Sequence, residues 1–331
     1  MLRFVLRRLL LMIPTIVAIS IISFLVMEAP PGDYMDSYVT NLMNRQEYVD
    51  PAEVEALRLR YGLDQPTYVR YFRWISGVVR GDLGRSLAWN QPVRKLIGER
   101  LPWTLTISLS SLLLTYALAI PIGTYVATHQ YSTGDYMATL VGFLGLSIPN
   151  FLIALIVMWI YFQTTRRVAV GLFSDEYISA PWSFAKLVDL LKHLWVPAFI
   201  TGTAGTAGLI RTVRANLLDE LSKPYVEVAR SKGLKENKLL YKYPFRLAMN
   251  PVASTIGWSL AGLVNGELLT SLVLGLPTMA PLLVGALQAQ DMLLAASIVL
   301  ILSILTVIGT LVSDVLLVWL DPRIRTTMVS E

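Results

Sequence analysis

A chain of 331 residues that is 54% hydrophobic and only 15% charged, with a mean hydropathy of +0.56, is too apolar for a soluble domain of this size. It reads as an all-α integral membrane protein, whose natural unit of count is the bilayer crossing of about 20 apolar residues. The absence of cysteine and the presence of two distant histidines, His129 and His193, exclude disulfide frameworks, thiolate metal sites and cysteine nucleophiles, and the net charge of +5 acquires meaning only once it is located along the chain.

The chain opens on "MLRFVLRRLLLMIPT", in which Arg3, Arg7 and Arg8 precede an apolar run over 9–27. That run is longer than the core of a secretory signal and lacks a small-x-small cleavage site, so residues 1–29 read as a retained first span with its lead. The next segment, 30–101, carries ten basic and nine acidic residues. Within it Asp50 before Pro51 predicts a helix start, Val54, Leu57 and Tyr61 share one stripe, and Gly62 predicts the stop. A second helix is predicted from Thr67, with Tyr68, Tyr71, Phe72 and Ile75 at helical spacing. Such aromatic stripes serve as packing and interface anchors, or as a docking surface for an external partner.

Five further apolar stretches of membrane length follow in 102–331, at roughly 103–127, 137–162, 194–209, 252–274 and 292–320, making six spans in all. In the fourth, Gly202, Gly205 and Gly208 recur every three residues, a flank suited to close helix packing or to a groove. Nine basic against four acidic residues over 211–246, the three amino-terminal arginines, and Arg323 and Arg325 in the tail all fall on one side of a six-span chain. The positive-inside rule places that side, with both termini, in the cytoplasm, and 30–101 outside as a helical insert.

Several chemistries have no signature. No G-x-x-x-x-G-K-[ST] phosphate cradle, H-E-x-x-H pair or G-x-S-x-G elbow occurs, so no enzyme activity, cofactor or metal site of the chain's own is expected, and nothing points to nucleic acid. A filter loop or rings of charge, as in a channel, and the inverted repeats of a secondary transporter are likewise not seen. A transport subunit moved by another protein's energy remains.

The basic connection "LLDELSKPYVEVARSKGLKENKLLYKYPFRLAMNP", within a loop of about 215–248, predicts a short helix capped by Ser222, with Pro224 in its first turn and Gly233 as the left-handed residue that ends it. A second helix is predicted from near Lys235 into the fifth span, broken near Pro244 or Pro251. Glu227, Arg230 and Lys235 need water or another protein around them.

Glu227-Val228-Ala229-x-x-x-Gly233 resembles the E-A-A-x-x-x-G loop of the membrane subunits of bacterial ATP-binding-cassette importers, with Val228 at the second position. Together with "RRLLLMIPT", "YGLDQP", "RGDLGRSL", "IGERLPWTL", "FRLAMNP" and "LDPRIR", in order along essentially the whole chain, it is similar to the B-type membrane-spanning permeases of the dipeptide/oligopeptide/nickel importers. The resemblance implies a type I importer permease fold in the inner membrane, a second homologous permease, two ATP-binding subunits that hold the ATP, and a periplasmic substrate-binding protein. It further implies that the short helix enters a cleft on an ATPase subunit, with Glu227 making a polar contact, Ala229 allowing close approach and Gly233 setting the turn, Arg230 and Leu234 completing the loop. A Gly233→Glu or Ala229→Asp change is then expected to abolish transport and leave insertion intact.

The stretch after the fifth span departs from the family pattern: in "LTSLVLGLPTMA" Gly275 and Pro277 match, whereas Ser271 replaces a glutamate and Thr278 a glycine. Glu267, beside Asn265 and Gly266, is the nearest acid, so Asn265, Glu267 and Ser271 are candidate pathway residues, a buried pair or snorkelling being the alternative for Glu267. Asp314 reads as a structural partner of a neighbouring helix. Two distant histidines make nickel a poor cargo for the chain itself. Peptide and oligosaccharide both remain, since Trp74 and Trp89 suit sugar stacking as well as membrane anchoring. Rival readings are a secondary transporter or channel, and a membrane scaffold for a soluble enzyme.

Overall fold

The computed structural model describes residues 2–30, 32, 34–44, 50–166, 171–266 and 268–320, without the side chains of a few helical residues, Leu57, Tyr61 and Asn265 among them. The described backbone is helical, and its one extended pairing is an isolated bridge between Arg85 and Pro92. In order the helices are α1 (Leu2–Glu28), α2 (Tyr34–Asn44), α3 (Pro51–Tyr61), α4 (Thr67–Val79), α5 (Val93–Thr128), α6 (Thr133–Ser147), α7 (Asn150–Thr165) and α8 (Asp175–Ile178). They continue with α9 (Phe184–Leu221), α10 (Pro224–Ser231), α11 (Glu236–Lys242), α12 (Pro244–Ser254), α13 (Ile256–Gly266), α14 (Leu268–Val273), α15 (Met279–Gln288) and α16 (Met292–Leu320).

Three segments among the described residues, Val5–Glu28, Val93–Thr128 and Met292–Val318, are long and apolar enough to cross a bilayer singly. On α1 the side chains of Leu10, Ile13, Ile22 and Val26 are all exposed. Water would make that face costly, whereas lipid makes it neutral.

The third predicted span, 137–162, is corrected. It is two helices, α6 and α7, meeting at 99°. The cause is local: Pro149 lacks an N–H and drives Ile148 out of the helical region to φ −91°, ψ 121°. The predicted span 252–274 is likewise divided, over α12, α13 and α14. At the first break Ser313 Oγ donates to the carbonyls of Ala253 (3.2 Å) and Ser254 (2.7 Å). The fourth, 194–209, is the middle of a much longer helix, α9, which continues through Pro197. Helix α2 has no counterpart among the predicted helices.

The chain divides into two compact units. One comprises residues 6–104 and 277–305. Its core is aromatic: Trp74, 4% exposed, stacks on Phe24 at 5.4 Å between ring centroids and donates its indole N–H to Ser297 Oγ (3.1 Å). Tyr71 and Ile75 pack on the same cluster, which also holds Ala296 and Leu300, while Tyr68 and Phe72 are exposed. The predicted aromatic stripe therefore splits between two faces of α4, and burial removes Trp74 from any sugar-stacking surface. The predicted start and stop of α3 hold, while the side chains of Leu57 and Tyr61 in its expected stripe lie outside those described. Asp50 accepts the Ala52 N–H at 2.9 Å and Gly62 is left-handed at φ +68°.

The segment "RGDLGRSL" closes on the start of α16 in this unit. Asp291, fully buried, accepts from Ser86 Oγ (2.6 Å), the Ala88 N–H (3.1 Å) and the Leu294 N–H (3.2 Å), so one carboxylate fastens the loop and caps the helix.

The other unit comprises residues 1–5, 105–276 and 306–331. Helix α9 is its spine, packed against α6, α7, α12 and α13. Gly202 meets α5 so closely that an added Cβ would lie 2.8 Å from Thr115 Oγ1, and Gly123 meets Val213 at 2.7 Å, so small residues let these helices touch. Gly208, by contrast, faces open space. A polar seam of Ser111, Thr115, Thr201 and Thr206 bonds α5 to α9, with Thr201 Oγ1 donating to Ser111 Oγ at 2.8 Å. At the start of α6 the buried Asp135 carboxylate accepts the Tyr131 N–H (3.0 Å) and Arg214 Nη2 (3.1 Å), which ties the turn before α6 to α9.

Candidate functional site

The candidate site is the pair α10 and α11, which stands on the end of α9 and the start of α12. Helix α10 begins after an extended Lys223, with Pro224 in its first turn, where a missing N–H costs nothing. The predicted cap at Ser222 is corrected. Helix α9 runs on to Leu221, and Ser222 closes it, donating its hydroxyl to the Asp219 carbonyl (2.8 Å). Gly233 takes the left-handed conformation predicted for it, at φ +79°. The predicted break before the next span falls at Tyr243–Pro244, while Pro251 is accommodated inside α12.

Apolar burial holds the two short helices together. Val226 and Leu239 are at most 1% exposed, and Ala229 is 9% exposed between them, with Tyr225, Leu234 and Tyr243 packed around. The close approach that a small residue at Ala229 permits is thus made within the chain, against α11. Beneath, Leu217 of α9, Ala248 of α12 and Ala127 of α5 form a second buried cluster with Leu218, Leu221 and Leu240 about it. A load on α10 consequently meets packed helices, not a loose loop.

Two polar latches reinforce this. Glu220, on the last turn of α9, accepts from Lys223 Nζ (2.5 Å) and from the Tyr225 hydroxyl (2.7 Å). The hydrogen bond to Glu220 raises the Lys223 ammonium above its ordinary value, and burial followed by the same carboxylate raises the Tyr225 phenol. Across the Gly233 turn, Arg230 Nε and Nη2 donate to the two oxygens of Glu236 at 2.7 and 3.2 Å, a bidentate pair that lowers the Glu236 carboxyl and raises the guanidinium. The i,i+3 spacing of Glu220 and Lys223 is a readable signal for the first latch; the second joins different helices and has none.

The outward face is left to solvent. Glu227 is exposed and makes no ion pair among the described residues, and Val228, Tyr241, Lys232, Lys235 and Lys238 are exposed as well. These helices can accept a partner through one carboxylate, three lysines and two large side chains.

An added Cβ at Gly233 meets nothing within 4 Å, so the glycine answers to φ alone and not to space. Gly233→Asn is therefore expected to leave the turn nearly intact, and a β-branched Gly233→Val to cost about 1–3 kcal/mol of local strain. Hydrogen exchange of the α10 amides, slow in the first variant and fast in the second, checks this.

The Arg230–Glu236 pair sets a pH expectation. A lowered carboxyl contributes stability above its unfolded value, ordinarily 4.5, and loses it as pH falls through the still lower folded value. Protection of the α10–α11 amides, corrected for intrinsic exchange, is thus expected to be constant from about pH 8 to 5 and to fall below about 4.5. Glu236→Gln should reproduce the acid behaviour at neutral pH.

The pathway candidates are only partly on view. Glu267 lies outside the described residues, and Asn265 is placed in α13 without its side chain. Ser271 is buried in α14, its carbonyl accepting the Leu276 N–H (2.9 Å) where Gly275, at φ +59°, turns the chain. The left-handed turn explains the glycine that the sequence shares with the family pattern at this point.

Known proteins resemble the chain over nearly all of its length. Residues 119–326 match the family described as binding-protein-dependent transport system inner membrane component, and residues 1–110 match the amino-terminal part of such membrane components. The oligopeptide transport system permease protein AppB of Bacillus subtilis (strain 168) is 35% identical over 323 residues, 97% of this chain and 99% of its own length. The dipeptide transport system permease protein DppB of Escherichia coli (strain K12) is 30% identical over 341 aligned positions, 98% of this chain and 99% of its own length.

Proposed function

The chain belongs to the family of binding-protein-dependent transport system inner membrane components, and from that premise we propose that it is a permease subunit of an ATP-driven importer that passes oligopeptides or dipeptides across the bacterial inner membrane. The relatives named for oligopeptide and dipeptide transport, aligned over nearly the full length of both chains, favour peptide over oligosaccharide as cargo. A family of transport permeases, not of enzymes, fits a chain that moves its cargo unaltered.

The observation that carries the mechanism is the mounting of α10 and α11. Two short helices present polar and apolar side chains to solvent while their inner faces are packed together and on α9 and α12. An ATPase subunit seated on Glu227, Val228 and the neighbouring lysines would push on an element that transmits force to the spine of the permease. Rigid-body coupling of this kind needs a stiff contact and a bistable packing of the helices behind it. ATP is held by the partners, and the chain has no cofactor of its own in this reading.

In the same reading the spans number six, the bent pair α6–α7 counting as one and α12–α14 together as another, with both termini and α10–α11 on the cytoplasmic side. The excess of lysine and arginine on that side supports it. The insert 30–101 then lies outside, toward a substrate-binding protein. A second, homologous permease completes the pathway, two ATPase subunits drive it, and Asn265 and Glu267 face the cargo, the third candidate, Ser271, being buried within the chain.

Reconstitution of the full assembly in vesicles tests this. Labelled short peptides are expected to accumulate only with ATP and binding protein, and oligosaccharides not at all. Uptake indifferent to ATP would make the chain a secondary transporter or channel, and sugar uptake would keep the machine and change its cargo.

A further inference from the structure

The unit formed by residues 6–104 and 277–305 contains a cavity of about 200 Å³ between α1, α4 and the start of α16. Its apolar wall is made by Phe24, Trp74, Leu83 and Leu293. Deeper in, Arg70 Nη1 and Glu28 Oε2 are paired at 2.8 Å, so those charges answer each other. Two further charged side chains line the same cavity, Arg73 and Asp82, both exposed.

These two form no ion pair with each other or with any other described residue. The Arg73 guanidinium lies over Gly62, a Cβ on which would stand 2.7 Å from Nη1. Asp82 uses one oxygen, Oδ1, to accept the Gly84 N–H (2.9 Å), which fixes the carboxylate and leaves Oδ2 available. One cation and one anion thus face a single apolar-walled cavity without closing on each other.

We propose that this cavity binds the zwitterionic end chemistry of an amino acid: an α-carboxylate on Arg73, an α-ammonium on Asp82, and an apolar side chain against Leu83 and Leu293. The size agrees, because 200 Å³ is below the range of about 300–1,000 Å³ that holds drug-sized ligands and suits a single residue. A planar guanidinium matches a carboxylate in two parallel hydrogen bonds, and the partly apolar surroundings strengthen both charged contacts. The site shares no residue with α10–α11 and does not depend on the transport reading. A free amino acid and the end of a peptide share this chemistry.

Calorimetric titration of the detergent-solubilised full chain with leucine tests the assignment. Saturable binding is expected, weakened about tenfold by Arg73→Gln and by Asp82→Asn, each of which removes one charge-assisted contact. Leucinamide, lacking the carboxylate, is expected to bind about tenfold more weakly and to ignore Arg73→Gln. N-Acetyl-leucine, lacking the ammonium, is expected to ignore Asp82→Asn in the same way. Leucyl-leucine separates the sources: binding as tight as leucine with the same dependence on both variants makes a peptide the occupant, and weaker binding makes it the free amino acid. Leucine binding unchanged by both substitutions, or no saturable binding, overturns the proposal.

Discussion

Substituting Ala229 by aspartate is expected to reduce ATP-driven peptide uptake to background, a loss of more than about tenfold, while the protein still inserts in the membrane. Ala229 is buried between Val226 and Leu239, so the new carboxylate would lie in an apolar cluster with no partner. Burying an unpaired charge costs several kcal/mol, and the lower-energy outcome is for α10 to lift away from α11 and hydrate the group. With only eight residues, α10 has no length on which to survive alone once that contact is lost. The apolar spans are untouched, which is why insertion persists. Ala229→Gly removes a methyl without adding charge; its cost of about 1 kcal/mol in helix propensity should leave uptake within a few-fold. Uptake, membrane-fraction yield and peptide-stimulated ATP hydrolysis of the assembly, measured together, distinguish the outcomes. Normal uptake in Ala229→Asp would remove α10 from coupling, and loss of insertion would make it a folding element.

The largest loss of stability is expected from Trp74→Ala, about 3–5 kcal/mol. The indole is the centre of the cluster with Phe24, Ala296 and Leu300, and its removal leaves a cavity and orphans the fully buried Ser297 hydroxyl. At the scaling of mid-sized domains this is a fall in melting temperature of roughly 5–15 °C. Trp74→Phe keeps most of the packing and loses the hydrogen bond, so its fall should be a few degrees. Thermal denaturation of the solubilised chain, followed by near-ultraviolet circular dichroism, reads both. Equal melting of the alanine variant and the parent would show that α4 contributes nothing to the fold of this unit.

Residues at or next to a local event are legible in the sequence. Gly62, Gly233 and Pro244 act through their own backbone geometry and Asp50 through a carboxylate that caps the next turn, and each does in the structure what its residue type demands. Class and family are legible too, since apolar runs and ordered short motifs survive without any knowledge of packing. The failures are of two kinds, the reach of a long helix and a local bend. Ser222 reads as the start of a helix because a hydroxyl just ahead of a proline is a good cap, yet α9 extends up to it and uses it as a close. Pro149 folds one expected span into two, and no count of apolar residues registers that angle.

What the sequence determined by itself is therefore the solvent, the family and the places where the chain must turn, because these follow from composition and from dihedral restrictions on single residues. Which side of a residue is buried was decided only by the tertiary structure. Ala229 turns inward while Glu227 and Val228 turn out, and Trp74 is sealed while Tyr68 and Phe72 on the same helix are bare. The pairing of Arg230 with Glu236, the capping of α16 by Asp291 through Ser86, and the open charges of Arg73 and Asp82 join residues six to 205 positions apart or leave them apart. Such relations depend on where whole helices pack, and packing is a property of the assembled surfaces that no local pattern along the chain contains.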